Sequence, residues 1–164
     1  MWVEDEEDWY SCDTLTGHKS TVWGACFDAT GDRMVSCGAD LNLNLWRLID
    51  DSSANSTADP RFVPEGPPHA GVEGVHTRCI YALDWSHVNN RIVSGGADDT
   101  LRVFTLAETV NQNGGGLVLE ATLPRAHDLD VNGVAWSPTS VDTGCMLATC
   151  GDDETVKLWL YTPP

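Results

Sequence analysis

Positive charge is what this chain has least of: nine Lys and Arg stand against twenty-five Asp and Glu, for a formal net charge of −16. A field of that sign repels phosphate backbones and anionic lipid, so neither nucleic acid nor membrane is expected as a partner. A basic protein surface stays open as a partner, and the simplest role for the charge is solubility. No apolar run approaches the ~20 residues that a membrane helix needs. The first residues, Met1-Trp2-Val3-Glu4-Asp5-Glu6-Glu7-Asp8, have neither the basic nor the apolar region of a secretory signal. Asn55-Ser56-Thr57 has the form of a glycosylation acceptor and carries no weight without such a signal.

Paired metal-ligand spacing is missing too. The six cysteines, at 12, 26, 37, 79, 145 and 150, form no Cys-x-x-Cys pair, and most lie inside hydrophobic, strand-like runs. They read as small buried hydrophobes, so no metal and no cofactor is expected. A reducing, cytoplasmic compartment fits that usage. No segment sustains a helical period, which leaves an all-β chain.

What is present is one pattern written three times. His18 is followed by Val22 four residues on, Phe27 nine on, Ser36 eighteen on, Asp40 twenty-two on and Trp46 twenty-eight on. His76 keeps those offsets with Ile80, Trp85, Ser94, Asp98 and Phe104. His127 keeps step through Val131 and Trp136, then runs four residues late at Thr149, Asp153 and Trp159. The extra residues fall around Ser140–Gly144, where a turn can absorb them. Repeats on this scale mean a solenoid or a propeller. They divide the chain into repeats at 8–46, 69–104 and 117–160, with loops at 47–68 and 105–116.

Within each repeat the pattern predicts strands. The first has them at Thr21–Asp28, Arg33–Gly38 and Asn42–Trp46, the second at Cys79–Trp85, Arg91–Gly95 and Thr100–Phe104. The third has them near Asp130–Trp136, Cys145–Cys150 and Thr155–Leu160. Outer strands are expected at Trp9–Leu15, at Leu117–Leu123, and weakly at Arg61–Val63 or Gly71–Val75, where prolines crowd the segment. Val22, Ala25 and Phe27 are spaced three then two apart, a spacing that puts them on one core face only if the strand carries a β-bulge.

The repeated polar residues form a donor–acceptor chain. Trp only donates, a hydroxyl does both, neutral His does one of each and Asp only accepts. Linked as Trp46, Ser36, His18 and Asp40, or as Trp159, Thr149, His127 and Asp153, every member is satisfied. The second set, His76, Ser94 and Asp98, has Phe104 in place of the indole. Ser, His and Asp are also the parts of a hydrolase triad. Three copies at repeat spacing, with no nucleophile elbow, favour the structural role.

These residues resemble the WD-repeat pattern: Gly-His, an aliphatic-x-x-small-x-aromatic strand, Ser-x-x-x-Asp, then aliphatic-x-aliphatic-Trp. The resemblance implies a partial β-propeller of three four-stranded blades plus one leading outer strand. The segments EDEEDW, TLTGHKSTVW, FDATGDRMVSCGAD, IYALDW, GGADDTLRVF and AHDLDVNGVAW are similar to the C-terminal half of WD-repeat subunits of cytosolic iron–sulfur protein assembly. That likeness implies a non-enzymatic scaffold that helps deliver preformed clusters to cytosolic and nuclear apo-proteins without holding the cluster. A generic WD-repeat adaptor of signalling or ubiquitin-ligase complexes is the alternative. By the family's geometry, the residues after the bulged aliphatic, Trp23, Tyr81 and Asn132, point to the channel rim beside Lys19, Arg78 and Asp130. Packing of Trp23 and Tyr81 between blades is the competing reading. Trp9–Leu15 would pair with a blade outside this chain, and the last blade would lack its fourth strand. The three blades then form an open arc, completed by a missing N-terminal half or by a second copy joined head to tail.

Overall fold

A computed structural model describes residues 11–49, 61–65, 76–107, 116–141 and 144–163. Within them every regular element is a strand, and the strands form three antiparallel sheets. Blade 1 comprises β1 (Val22–Phe27), β2 (Arg33–Gly38), β3 (Leu43–Ile49) and β4 (Arg61–Pro64). Blade 2 comprises β5 (Ile80–Trp85), β6 (Ile92–Gly96), β7 (Leu101–Leu106) and β8 (Leu117–Leu123). Blade 3 has three strands, β9 (Val131–Val141), β10 (Gly144–Gly151) and β11 (Val156–Tyr161). Among the described residues β11 has no outer neighbour, as the repeat register predicts.

The bulge sits at the same place in every blade. In β1, Val22 pairs with Gly38 and Gly24 with Cys37, leaving Trp23 as the extra residue. In β5 the pairs Ile80–Gly96 and Ala82–Gly95 leave Tyr81, and in β9 the pairs Val131–Gly151 and Gly133–Cys150 leave Asn132. The bulge resets the alternation, so Ile80 and Trp85 both reach one core, and Val131 and Trp136 both reach the other.

Those cores lie between blades. Val35, Leu43 and Leu45 of blade 1 pack on Ile80, Trp85 and Phe104 of blade 2. Val93, Leu101 and Val103 of blade 2 pack on Val131, Trp136 and Leu147 of blade 3. Such a stack is held together by nearest-neighbour interfaces.

Each blade closes its middle hairpin in the same way. Leu41, Asp99 and Glu154, one after each turn aspartate, sit at φ 66°, 58° and 63°, the left-handed residue of a three-residue hairpin loop. Just before the turn, Gly38 and Gly151 run so close to the first strand that a Cβ would stand 2.6 Å from the carbonyls of Thr21 and Asp130. Gly96 meets Cys79 in the same way. The close approach lets Ala39, Ala97 and Asp152 donate their N–H groups to those three carbonyls at 2.8–3.0 Å.

Three expectations change, and the outer strand of blade 1 falls on one of its two candidates. Ser11–Leu15 carry no strand: Asp13 meets β4 through its side chain, which accepts the Phe62 N–H at 3.2 Å, while Trp9 and Tyr10 are outside the described residues. The weak outer strand of blade 1 is Arg61–Pro64, with Pro64 at its end, where an edge tolerates a missing donor; Gly71–Val75 is outside the described residues. The four extra residues of the third repeat are not a plain turn: β9 runs on to Val141, and Ser137–Thr139 stand opposite Met146 alone. Last, Val22, Ala25 and Phe27 are exposed and not a core face, because no described blade covers that flank of β1.

Candidate functional site

The loop before β1 carries His18 over the end of its sheet. Nε2 lies 2.7 Å from Ser36 Oγ on β2, and Nδ1 lies 2.9 Å from Asp40 in the β2–β3 turn. Trp46 on β3 donates to the same Ser36 oxygen at 2.8 Å, and the Lys19 N–H donates to Asp40 at 2.8 Å. In blade 3, His127 stands 2.8 Å from both Thr149 Oγ1 and Asp153, and Trp159 donates to Thr149 at 2.9 Å. In blade 2, His76 stands 2.7 Å from Ser94 and 2.9 Å from Asp98, while Phe104 offers no donor. In blades 1 and 3 one proton arrangement satisfies everything. Nδ1–H donates to the carboxylate, the hydroxyl donates to Nε2, and the hydroxyl oxygen accepts the indole.

Four further charged residues join this frame, and the repeat offsets locate them. Arg102 lies twenty-six residues after His76, and Lys157 thirty after His127 once the four-residue insertion is counted. Arg102 reaches Asp98 at 3.0 Å, and Lys157 reaches Asp153 at 3.4 Å. Arg33 and Arg91 each lie fifteen after their histidine. Arg33 clamps Glu65 through Nε at 2.7 Å and Nη2 at 3.1 Å, and Arg91 meets Glu120 at 3.2 Å. These two pairs tie the second strand of a blade to its outer strand or the residue just after it. Polar residues without the repeat's signature types were easy to pass over in the sequence.

Burial decides what the sets can do chemically. Ser36, Ser94 and Thr149 are buried, and in blades 1 and 3 the hydroxyl oxygen is already held by an indole and an imidazole, so a substrate carbonyl has no approach. Burial raises the carboxyl pKa of Asp40 and Asp98. Hydrogen bonds from a backbone N–H and the histidine outweigh it and hold both below the usual range. Asp153 is likewise held down, against burial, by His127, Thr155 and the Asp128 N–H. Burial lowers His76, Arg102 beside it lowers it further, and Asp98 opposes both. That imidazole is neutral at neutral pH.

The rim positions are brought together differently. Trp23 is half exposed, and its ring meets Tyr81 edge-on, centroids 5.5 Å apart at 87°. Arg78 stands 3.5 Å from Asp130, joining the loops ahead of β5 and β9. Asn132 is exposed and hydrogen-bonded to Asp152, and Lys19 is exposed in the loop ahead of β1. Two aromatics, a cation and an acid thus meet where adjacent blades adjoin.

The thiols are dispersed. Burial pushes Cys37 up to about 12 and raises Cys26 further, which keeps both protonated. Among the described residues, no group of three or more His, Cys, Asp or Glu side chains is placed to hold a metal ion. A cleft of about 290 Å³, lined by Leu101, Val103, Leu147, Trp159 and Tyr161, lies between blades 2 and 3.

Residues 9–47, 72–105 and 118–159 match the family described as WD domain, G-beta repeat. Among curated relatives, a probable cytosolic iron-sulfur protein assembly protein Ciao1 from Aedes aegypti is 32% identical over 165 residues, which is 99% of this chain and 48% of the relative. The protein of the same name from Culex quinquefasciatus is 33% identical over 98% of this chain and 47% of its own length. A CIAO1 homolog from Chlamydomonas reinhardtii is 33% identical over 94% and 47%. The chain spans about half the length of the curated relatives it matches.

Proposed function

The chain belongs to the WD-repeat family, and from that membership we propose that it acts as a non-enzymatic interaction scaffold in cytosolic iron–sulfur protein assembly. The observation that carries this reading is the similarity, along 99% of the chain, to a protein named for that process. The Ser–His–Asp sets support it by being consumed internally, and the thiols support it by being scattered and, at Cys26 and Cys37, held protonated. On this reading clusters pass between other proteins of the complex and this chain supplies surface. Its partners are further subunits of the assembly complex and client apo-proteins, met in the cytosol and in the nucleus. The surface assigned to them is the rim of Trp23, Tyr81 and Asn132 with Lys19, Arg78 and Asp130, where large aromatics supply the anchors typical of interfaces.

Depleting the protein from its own cells and assaying cytosolic iron–sulfur enzymes tests the proposal. Their activity and cluster content should fall while the apo-proteins persist, and restoring the protein should recover both. Unchanged cluster content after depletion would overturn it. Recovery of signalling or ubiquitin-ligase components alone, on affinity purification of the tagged protein, would favour a generic adaptor instead.

A further inference from the structure

Blades 1 and 2 each end on an outer strand, and the two outer strands are built to different rules. A sheet edge presents unpaired N–H and C=O groups, and proteins guard such edges with short strands, charges and proline. β4 has all of these guards: it is four residues long, opens on exposed Arg61 and closes on exposed Pro64. β8 displays none of them. It runs for seven residues, Leu-Val-Leu-Glu-Ala-Thr-Leu, with no proline inside it. Among the described residues nothing pairs with its outer side. Its one charged residue, Glu120, is turned inward: the carboxylate accepts from Arg91 at 3.2 Å and from the Tyr161 hydroxyl, leaving the side chain 10% exposed. Glu120 is also the extra residue of a bulge, between the pairs Leu119–Phe104 and Ala121–Val103. The bulge thus hides the strand's charge instead of displaying it. Around it Val118, Leu119 and Leu123 stay exposed. Leu119 lies opposite Phe104, which packs on blade 1, and blade 1 has its full four strands. Its 41% exposure therefore belongs to blade 2's own edge and not to an uncovered flank.

We propose that the outer edge of β8 accepts an extended segment of a partner protein as a fifth strand of blade 2, apolar at alternate positions and flanked by basic residues. The backbone edge supplies the hydrogen bonds, and Leu119 on one face with Val118 on the other asks for apolar side chains along the added strand. Net charge selects the flanks. A second copy of a chain at −16 is repelled, whereas lysine or arginine beside the strand is drawn in. β8 lies at the opposite edge of its sheet from β5, so this surface is separate from the rim at Tyr81, and its failure leaves the proposed cellular role untouched.

The probe is the synthetic peptide Lys-Val-Thr-Val-Thr-Val-Lys, capped at both ends and labelled for fluorescence anisotropy. Saturable binding is expected, with new amide hydrogen-exchange protection at Leu117–Leu123. Methylating the peptide's backbone nitrogens keeps its charge and side chains but removes its donors, and should abolish binding. Replacing both lysines by glutamate should weaken binding by about tenfold. Leu119→Asn alters an exposed side chain without changing charge, so the variant should stay folded by circular dichroism and bind the peptide about tenfold more weakly. No binding, equal binding of the methylated or glutamate-flanked peptide, or protection confined to β4 or β11 would overturn the proposal. So would a Leu119→Asn variant that binds as the wild type does. Protection of β8 that grows with protein concentration in the absence of peptide would overturn it as well, by making a second copy the occupant.

Discussion

Arg102 reaches across the end of blade 2 to Asp98 at 3.0 Å, in the blade whose hydrogen-bonded set has Phe104 where the others have an indole. The aspartate that closes the turn is thus held from two sides, by His76 and by a cation four residues on. Removing the cation exposes that dependence. Arg102→Met should lower stability by about 3 kcal/mol, since breaking one side of a buried pair leaves the other charge uncompensated. The equivalent Lys157→Met, at a side chain 33% exposed against 11% for Arg102, should cost no more than about 1 kcal/mol. Urea melts of the two variants compare them directly, and equal losses would contradict this account.

The imidazole of blade 1 is a test of the polar chain itself. His18→Ala removes a partner from both Ser36 and Asp40, at about 1–3 kcal/mol for each buried group left unsatisfied. The melting temperature should drop by several degrees, with the far-ultraviolet spectrum retained.

Phe104→Trp looks like a repair, because an indole could donate to Ser94. Phe104 is fully buried between blades 1 and 2, so the larger ring must displace packed neighbours. Overpacking costs about 1–3 kcal/mol against roughly 1 kcal/mol for a hydrogen bond. A net loss of stability is expected by thermal melt.

Gly38→Ala should be among the most damaging single-methyl changes in the chain. Its Cβ would stand 2.6 Å from the Thr21 carbonyl, a backbone atom that also accepts the Ala39 N–H at 2.8 Å. Either the hydrogen bond or the hairpin closure must give, at about 2–4 kcal/mol. Glu154→Gly, at φ 63° on an exposed turn, should instead be neutral or stabilising by up to about 1 kcal/mol. Gly38 stands two residues before Asp40 and Glu154 one after Asp153, so the pair of melts contrasts two glycine exchanges at equivalent turns.

Stability should fall with acid in two steps. His76 is held below its ordinary value, so the unfolded chain takes up that proton first, and stability begins to slip as pH drops below about 6.5. Asp40, Asp98 and Asp153 are held below the ordinary carboxylate value, so their contribution is full above about pH 5 and drains as pH falls through 4. His76→Gln should flatten the upper step and leave the lower one. A melting temperature that peaks at pH 5 would contradict the His76 assignment, and one that is unchanged between pH 5 and pH 3 would contradict the aspartates'.

The spacing of His, hydroxyl and Asp made the strands, the bulges and the polar sets legible, because a hydrogen-bonded frame tolerates few residue types at fixed offsets. Exposure at the arc's ends was not legible. Val22 and Phe27 carry the same pattern as Ile80 and Trp85, and only the presence of a neighbouring blade separates an open flank from a core. The third-repeat insertion misled for a related reason: Ser137-Pro138-Thr139 has turn chemistry, yet the longer hairpin absorbs it opposite Met146.

The extra residue in each first strand has a consequence for change over time. Trp23, Tyr81 and Asn132 are the residues the strand ladders leave unpaired, so the ladders ask nothing of their identity. What holds their side chains is the Trp23–Tyr81 ring contact and the Asn132–Asp152 hydrogen bond. A bulky indole, a phenol and an amide already occupy equivalent sites. If the proposed role of these three positions holds, exchanging them should change which partner is met while the hydrogen-bonded frame, built from other residues, keeps the shape.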